Sequence, residues 1–182
     1  MDSDDDGFDA EACGGGDCED LNPAVYPGAP EICGDGIDQD CNGYDAITCD
    51  GDYFYIDAEH CAIITGDLNV SNTASISLEL LHTLQEVGGG IQFYNNTVLT
   101  SFSSMDKLKS VGSFLWIGHN NPLETFTLDQ LTYVGGDLSV FRNTALTSFS
   151  MASLPKVDGQ FWIDDHNFIE SIALDALEEI NG

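Results

Sequence analysis

From Gly66 onward, apolar and polar positions recur every 23 residues, with one additional residue between Phe102 and Leu108. The last apolar position of each unit sets the register: Val87, Val111, Val134, Val157 and Ile180, preceded by Leu84, Leu108, Leu131, Leu154 and Leu177. A period of this length predicts stacked units, none of which buries its apolar side alone. Each unit opens on an alternating pair, Leu68/Val70, Ile91/Phe93, Leu115/Ile117, Leu138/Val140 and Phe161/Ile163. Alternation predicts a short strand with one face inward. A second apolar set follows at Ile76, Leu99, Leu123, Leu146 and Ile169. A third comprises Phe102 with Met105, Phe126 with Leu128, Phe149 with Met151, and Ile172 with Leu174. Three apolar sides per unit, with a strand opening each, predict a mainly β solenoid over residues 47–182.

After each opening strand stand Thr73, Asn96, Asn120, Asn143 and His166. Stacked side chains there are expected to form a ladder that pairs backbone groups otherwise buried without partners. A ligand or catalytic-base role for His119 or His166 has less support, because neighbours of the right type are missing. The outward strand positions should be polar, yet Trp116 and Trp162 occupy them, flanked by Tyr94, Phe114 and Phe141. Strand spacing puts the two indoles on the order of 10 Å apart on one face. Exposed aromatic patches mark recognition surfaces. With Arg142 at the edge, beside His119 and Asp165, this face is expected to hold a protein or a glycan. Cross-strand aromatic packing without a ligand, or cover by another segment, is the competing expectation.

Composition adds a sharp asymmetry. Thirty-two acidic residues against four Lys+Arg give a net charge of -28, and residues 1–60 hold about half of the carboxylates and no Lys or Arg. Polyanionic partners would be repelled, so nucleic acid and anionic membrane surfaces drop out. No stretch is long and apolar enough to span a bilayer, which predicts no membrane insertion. All six cysteines, Cys13, Cys18, Cys33, Cys41, Cys49 and Cys61, lie in the first third. That placement predicts disulfides and an oxidising, extracellular or cell-surface location. Met1 is followed by acidic residues where an export signal would be basic and then apolar. The signal is therefore expected to be removed or upstream, and Ile180-Asn181-Gly182 reads as the opening of another repeat. An open last coil would invite self-association.

Residues 1–46 form the acidic, loop-rich segment. Asp2, Asp4 and Asp6 alternate before Gly7, with the Phe8 carbonyl and Asp9 next. Hard oxygen ligands at that spacing suit calcium. Cys13 stands where an EF-hand needs Glu, so further ligands must come from elsewhere. Asp17, Asp20 and Asn22 are candidates, as are Asp35, Asp38, Asp40 and Asn42. Four cysteines within the segment allow three connectivities. Cys13 with Cys18 and Cys33 with Cys41 is the expected one, and the other two stay open. An acidic linker merely solvated by its charges is the bland alternative.

Two resemblances sharpen this picture. Residues 2–45, with the run from Asp17 and Cys18 through Asn22-Pro23 and Glu31-Ile32-Cys33 to Cys41-Asn42-Gly43, resemble the bacterial MopE-type metal-binding motif. The resemblance implies metal binding in exported proteins. Its copper is not carried over, because the segment has no His and no Met after Met1, and carboxylates suit calcium instead. Cys49-Asp50-Gly51 and the run from Cys61 to Val70 are similar to the start of receptor L domains. That similarity implies a right-handed parallel β-helix of coils of about 23 residues, a Cys49–Cys61 disulfide capping the first coil, and a ligand-contact sheet face. Leucine-rich-repeat proteins share a similar period but not the strand pattern seen here.

The combined expectation is a calcium-binding recognition or adhesion module, not an enzyme. The alternatives are a structural stalk or spacer, and a fragment of a β-helical polysaccharide-degrading enzyme. Catalysis there needs paired carboxylates or a poised base. Asp164 and Asp165 are adjacent, so strand alternation sends them to opposite faces.

Overall fold

The computed structural model describes residues 2–10, 14–29, 32, 35–41, 43, 45, 47–54, 58, 60–73, 78–102 and 105–182. Cys13, Cys33, Asn42 and Ile76 therefore lie outside the described residues. The chain divides into two compact units, Met1–Thr48 and Cys49–Gly182.

The second unit is a parallel β-solenoid of about 5 turns, with no α-helix among the described residues. Each coil carries up to three short strands, one per side. The first side is a seven-stranded sheet made of β1 (Ile47–Cys49), β3 (Cys61–Ile64), β5 (Glu86–Val87), β8 (Ser110–Val111), β11 (Tyr133–Val134), β14 (Lys156–Val157) and β17 (Glu179–Ile180). The second is six-stranded: β2 (Tyr53–Phe54), β4 (Leu68–Ser71), β6 (Ile91–Tyr94), β9 (Leu115–Gly118), β12 (Leu138–Phe141) and β15 (Phe161–Asp164). The third is four-stranded: β7 (Ser101–Phe102), β10 (Thr125–Thr127), β13 (Ser148–Ser150) and β16 (Ser171–Ala173).

Register follows the sequence period. Val87 pairs with Val111, Val134 with Val111 and Val157, and Val157 with Ile180. The alternating pairs point inward as expected, with Leu68, Val70, Ile91, Phe93, Leu115, Ile117, Leu138 and Val140 buried. Across the core the rings of Phe102, Phe126 and Phe149 stack at centroid distances of 4.8 and 4.9 Å, which is the spacing of the coils themselves. Phe93 joins this column against Phe102 at 4.8 Å. In the last coil the same positions are open: Ile163, Ile172 and Ile180 are 37%, 38% and 47% exposed. Their strands, β15, β16 and β17, are the end strands of the three sheets.

After β4, β6, β9, β12 and β15 of the second sheet, one non-glycine residue takes the left-handed conformation: Asn72, Asn95, His119, Arg142 and Asp165. That corner turns the following side chain into the core. Asn96, Asn120 and Asn143 are fully buried there. Their side-chain amides donate to the carbonyls of Val70, Phe93 and Ile117 at 2.8–3.0 Å. His166 ends the ladder, its two ring nitrogens 3.2 and 3.0 Å from the carbonyl oxygens of Asn143 and Val140. The ladder is thus structural, and His166 belongs to it. The Cys49–Cys61 disulfide closes the first coil.

Candidate metal segment and ligand-binding face

In the first unit the alternating aspartates fold into a tight loop held by their own side chains. Asp2 accepts the backbone N–H groups of Asp5 and Gly7, at 2.7 and 3.1 Å, and Asp6 accepts that of Phe8 at 2.8 Å. These contacts turn Asp2, Asp4 and Asp6 to one side, where one carboxylate oxygen of each lies within 4.8 Å of the others. Asp17, 2% exposed, adds a buried carboxylate to these three half-buried ones. One of its oxygens accepts the Glu19 N–H at 2.8 Å, whereas Oδ2 is buried with no hydrogen-bond partner. Oδ2 of Asp4 and of Asp6 are in the same condition.

Buried carboxylate oxygens without donors are costly unless a cation offsets them. Asp4 carries one of them. Burial pushes its carboxyl above the ordinary carboxylate range, and the charges of Asp6, Asp17 and Asp2 add to the effect, against a backbone hydrogen bond at Asp6 that lowers it. The donor set is oxygen only, since Cys18 is oxidised in a disulfide. Such a set fits a hard cation.

The other metal candidates are placed differently. Both oxygens of Asp20 are taken by Ser3, at 3.1 Å from its N–H and 2.6 Å from its hydroxyl, so Asp20 braces the loop. The Asn22 side chain caps a turn through the Ala24 N–H and donates to Glu19. Asp35 accepts from Ile37 N–H and from the Gln39 side chain. Asp38 accepts the Gly43 N–H at 2.7 Å, and Asp40 is buried. The Asp9 carbonyl accepts the Asp17 N–H at 3.2 Å, and the Phe8 ring stacks on Tyr26 at 5.5 Å. Among the described residues, Asp2, Asp4 and Asp6 are the group whose ligand atoms converge.

The disulfide of this unit corrects the expected pairing. Cys18 is bonded to Cys41, with a Cα–Cα distance of 5.6 Å. Cys18 therefore does not pair with Cys13, nor Cys41 with Cys33. The reason is that two stretches lying between these cysteines pair with each other: Tyr26 N–H donates to the Gln39 carbonyl at 2.9 Å and Gly28 N–H to that of Asp40 at 3.2 Å. This brings the chain ends at 18 and 41 together.

On the solenoid, the outward residues of the second sheet form three parallel columns. The middle one runs through Asn69, Gln92, Trp116, Ser139 and Trp162. Ser139 is thus flanked by Trp116 on one neighbouring strand and Trp162 on the other. The indoles are 38% and 57% exposed. Between them lies a groove of about 410 Å³, lined by Trp116, Asp137, Ser139, Phe141, Arg142, Gln160, Trp162 and Asp164. Four of the six residues expected at the ligand face, Trp116, Phe141, Arg142 and Trp162, line it together. Phe114 instead packs on Trp116 at 4.3 Å, and Tyr94 packs on His119 at 4.8 Å. Asp137, Ser139, Gln160 and Asp164 were missed. They are polar residues on an outward face, which by themselves carry no signal.

Glycine makes room for two of these rings. A Cβ on Gly118 would meet the Phe141 ring at 2.4 Å, and one on Gly90 would meet the Phe114 ring at 2.4 Å. Arg142 donates from Nε to Asp165 at 2.9 Å across neighbouring coils.

Fold and site together define a parallel β-solenoid preceded by an acidic, disulfide-braced segment with a converging carboxylate cluster. Residues 17–46 of that segment match the family model described as "Putative metal-binding motif", of the MopE type. No curated protein and no solved structure matches the chain. Asp17, Asp20, Asn22, Asp35, Asp38 and Asp40 fall inside the matched stretch, and the Asp2–Asp6 loop precedes it. No helix of the described residues is long and apolar enough to cross a membrane.

Proposed function

We propose that this chain is an exported, cell-surface or secreted recognition module, in which calcium orders the N-terminal segment and the second sheet of the solenoid binds a protein or glycan ligand. The observation that carries the metal half is the convergence of Asp2, Asp4 and Asp6, with Oδ2 of Asp4, Asp6 and Asp17 buried and without a donor. Oxygen-only donors favour calcium over copper or zinc. Export is supported by the two disulfides, which persist in oxidising compartments. The ligand half rests on the exposed Trp116 and Trp162 and the groove between them.

The role is binding and not catalysis. The groove's carboxylates, Asp137 and Asp164, each accept a backbone N–H, from Gln160 and Asp165. Such fixed acceptors suit a recognition surface. Calorimetry with calcium after chelation tests the metal half: binding heat that disappears in Asp4→Asn/Asp6→Asn supports it, and no heat in the parent protein removes it. Screening against glycans and cell-surface proteins, with Trp116→Ala/Trp162→Ala alongside, tests the ligand half. A parent protein that captures nothing beyond the double variant would leave a stalk or spacer as the function.

A further inference from the structure

The groove over Ser139 has a chemistry more specific than "aromatic". We infer that it receives the basic side chain, lysine or arginine, of a protein partner. The inference rests on the reading of this sheet face as a contact surface, and adds the class of group that it takes.

Three features support the assignment. The first is spacing. Trp116 and Trp162 flank Ser139 on adjacent strands, with only a hydroxymethyl group between the two indoles. Strands lie about 4.8 Å apart, so the two indoles rise from the strands immediately on either side of a cation held over Ser139, the arrangement that cation–π attraction uses. Phe141, seated over Gly118, closes a third side with another ring.

The second is charge. Asp137 and Asp164 stand at the rim, each with one oxygen held by a backbone N–H at 2.8 or 2.9 Å, leaving the other for a ligand. Arg142 is the one cation of the lining, and its charge is already matched by Asp165 at 2.9 Å. The whole chain carries a net charge of -28, a field that draws in basic partners and rejects acidic ones. A neutral sugar would use the ring faces but leave the two rim carboxylates without a counter-charge.

The third is openness. Small-molecule sites enclose most of their ligand. Here Trp116, with a strand on either side of its own, is still 38% exposed, so a free small cation would remain largely in solvent. A side chain presented by a protein surface gains the rest of its contact from the surrounding sheet.

The test is titration of the full chain with oligoarginine, oligolysine, fully acetylated oligolysine and neutral oligosaccharides, followed by tryptophan emission and calorimetry. Calcium is kept saturating, so that the N-terminal carboxylates are occupied. Comparison proteins are Trp116→Ala/Trp162→Ala, Asp137→Asn/Asp164→Asn, and Glu124→Gln/Glu170→Gln, which removes the same charge beside the third sheet. All are exposed positions, and thermal unfolding checks that each variant is folded. Oligocation binding should perturb the parent's tryptophan emission, fall roughly tenfold or more in the tryptophan variant, and fall severalfold in the aspartate variant. The glutamate variant and acetylated peptide should give parent-like binding and no binding, respectively. Equal oligocation affinity of parent and tryptophan variant overturns the inference, because charge alone would then account for binding. Tryptophan-dependent binding of a neutral oligosaccharide without oligocation binding also overturns it, while leaving the contact-surface reading intact. No tryptophan-dependent response to any probe removes both.

Discussion

The side-chain oxygen of Asn120 accepts the backbone N–H of Asn96 at 3.0 Å and its side-chain amide at 2.9 Å, joining two successive coils inside the core. Asn120 also donates to the Phe93 carbonyl at 3.0 Å, and its own N–H is taken by Asn143 at 2.9 Å. One side-chain amide thus satisfies polar groups of the preceding coil where no solvent reaches. Replacing Asn120 by Ala strands the Asn96 N–H and takes one acceptor from the Asn96 side-chain amide, at about 1–3 kcal/mol each. Urea unfolding of Asn120→Ala should show a loss of roughly 3 kcal/mol. Asn121→Ala, exposed on the next position, should stay within about 0.5 kcal/mol of the parent. Equal effects at 120 and 121 would contradict the ladder's role.

A second prediction concerns pH and the carboxylate loop. Because burial and neighbouring charges raise the Asp4 carboxyl above its ordinary value, the folded loop holds that proton more tightly than the unfolded chain does. The stability linked to it is full below the unfolded value and is lost as pH rises through the folded one. With calcium chelated, hydrogen-exchange protection of residues 2–20 should therefore fall as pH rises through the Asp4 titration. Calcium should restore it, since the ion supplies the charge that the proton supplied. Calorimetry in two buffers of different ionisation enthalpy should detect proton release on calcium binding across that range and none at neutral pH. Protection insensitive to both pH and calcium would show that the cluster holds no cation.

The solenoid was legible because stacking repeats one environment many times. Val87, Val111, Val134 and Val157 occupy the same site in successive coils, so the same kind of side chain returns every 23 or 24 positions. The Asn ladder was legible for the same reason. Asp137, Ser139, Gln160 and Asp164 were not, because polar residues on an outward face are what any solvated sheet would carry. Only the tryptophans departed from that background. The N-terminal unit has no repeat to read. That Asp17 is buried, or that Asp20 spends both oxygens on Ser3, depends on turns that no period announces.

The cysteine pairing illustrates the same limit and is directly checkable. Cys18 and Cys41 are 23 positions apart, with the pairing of Tyr26–Gly28 against Gln39–Asp40 holding the intervening chain. Closing a loop of that length removes on the order of 3 kcal/mol of unfolded-state entropy. Non-reducing peptide mapping should recover a cross-linked fragment containing Cys18 and Cys41. Cys18→Ser/Cys41→Ser should leave the solenoid's thermal transition in place while exposing residues 2–45 to proteolysis. Recovery of a fragment joining Cys13 to Cys18 would overturn the pairing.

Gly118 offers a test of how the groove's third wall is set. The Phe141 ring lies where a side chain on Gly118 would have to be, 2.4 Å from the place a Cβ would take, so the bare backbone at 118 determines where the ring rests. Gly118→Ala should therefore displace Phe141 and destabilise the protein by roughly 1–3 kcal/mol, the usual range for overpacking. In a Phe141→Ala background the conflict disappears, and Gly118→Ala should become neutral or mildly stabilising, because glycine inside a strand is itself unfavourable. The double-mutant cycle measures the coupling directly, with an expected interaction of about 1 kcal/mol or more. The left-handed turn that follows, at His119, is common to both backgrounds and cancels in the cycle. Simple additivity of the two substitutions would mean that Phe141 rests elsewhere, and that the groove beside Trp116 and Trp162 lacks its third aromatic wall.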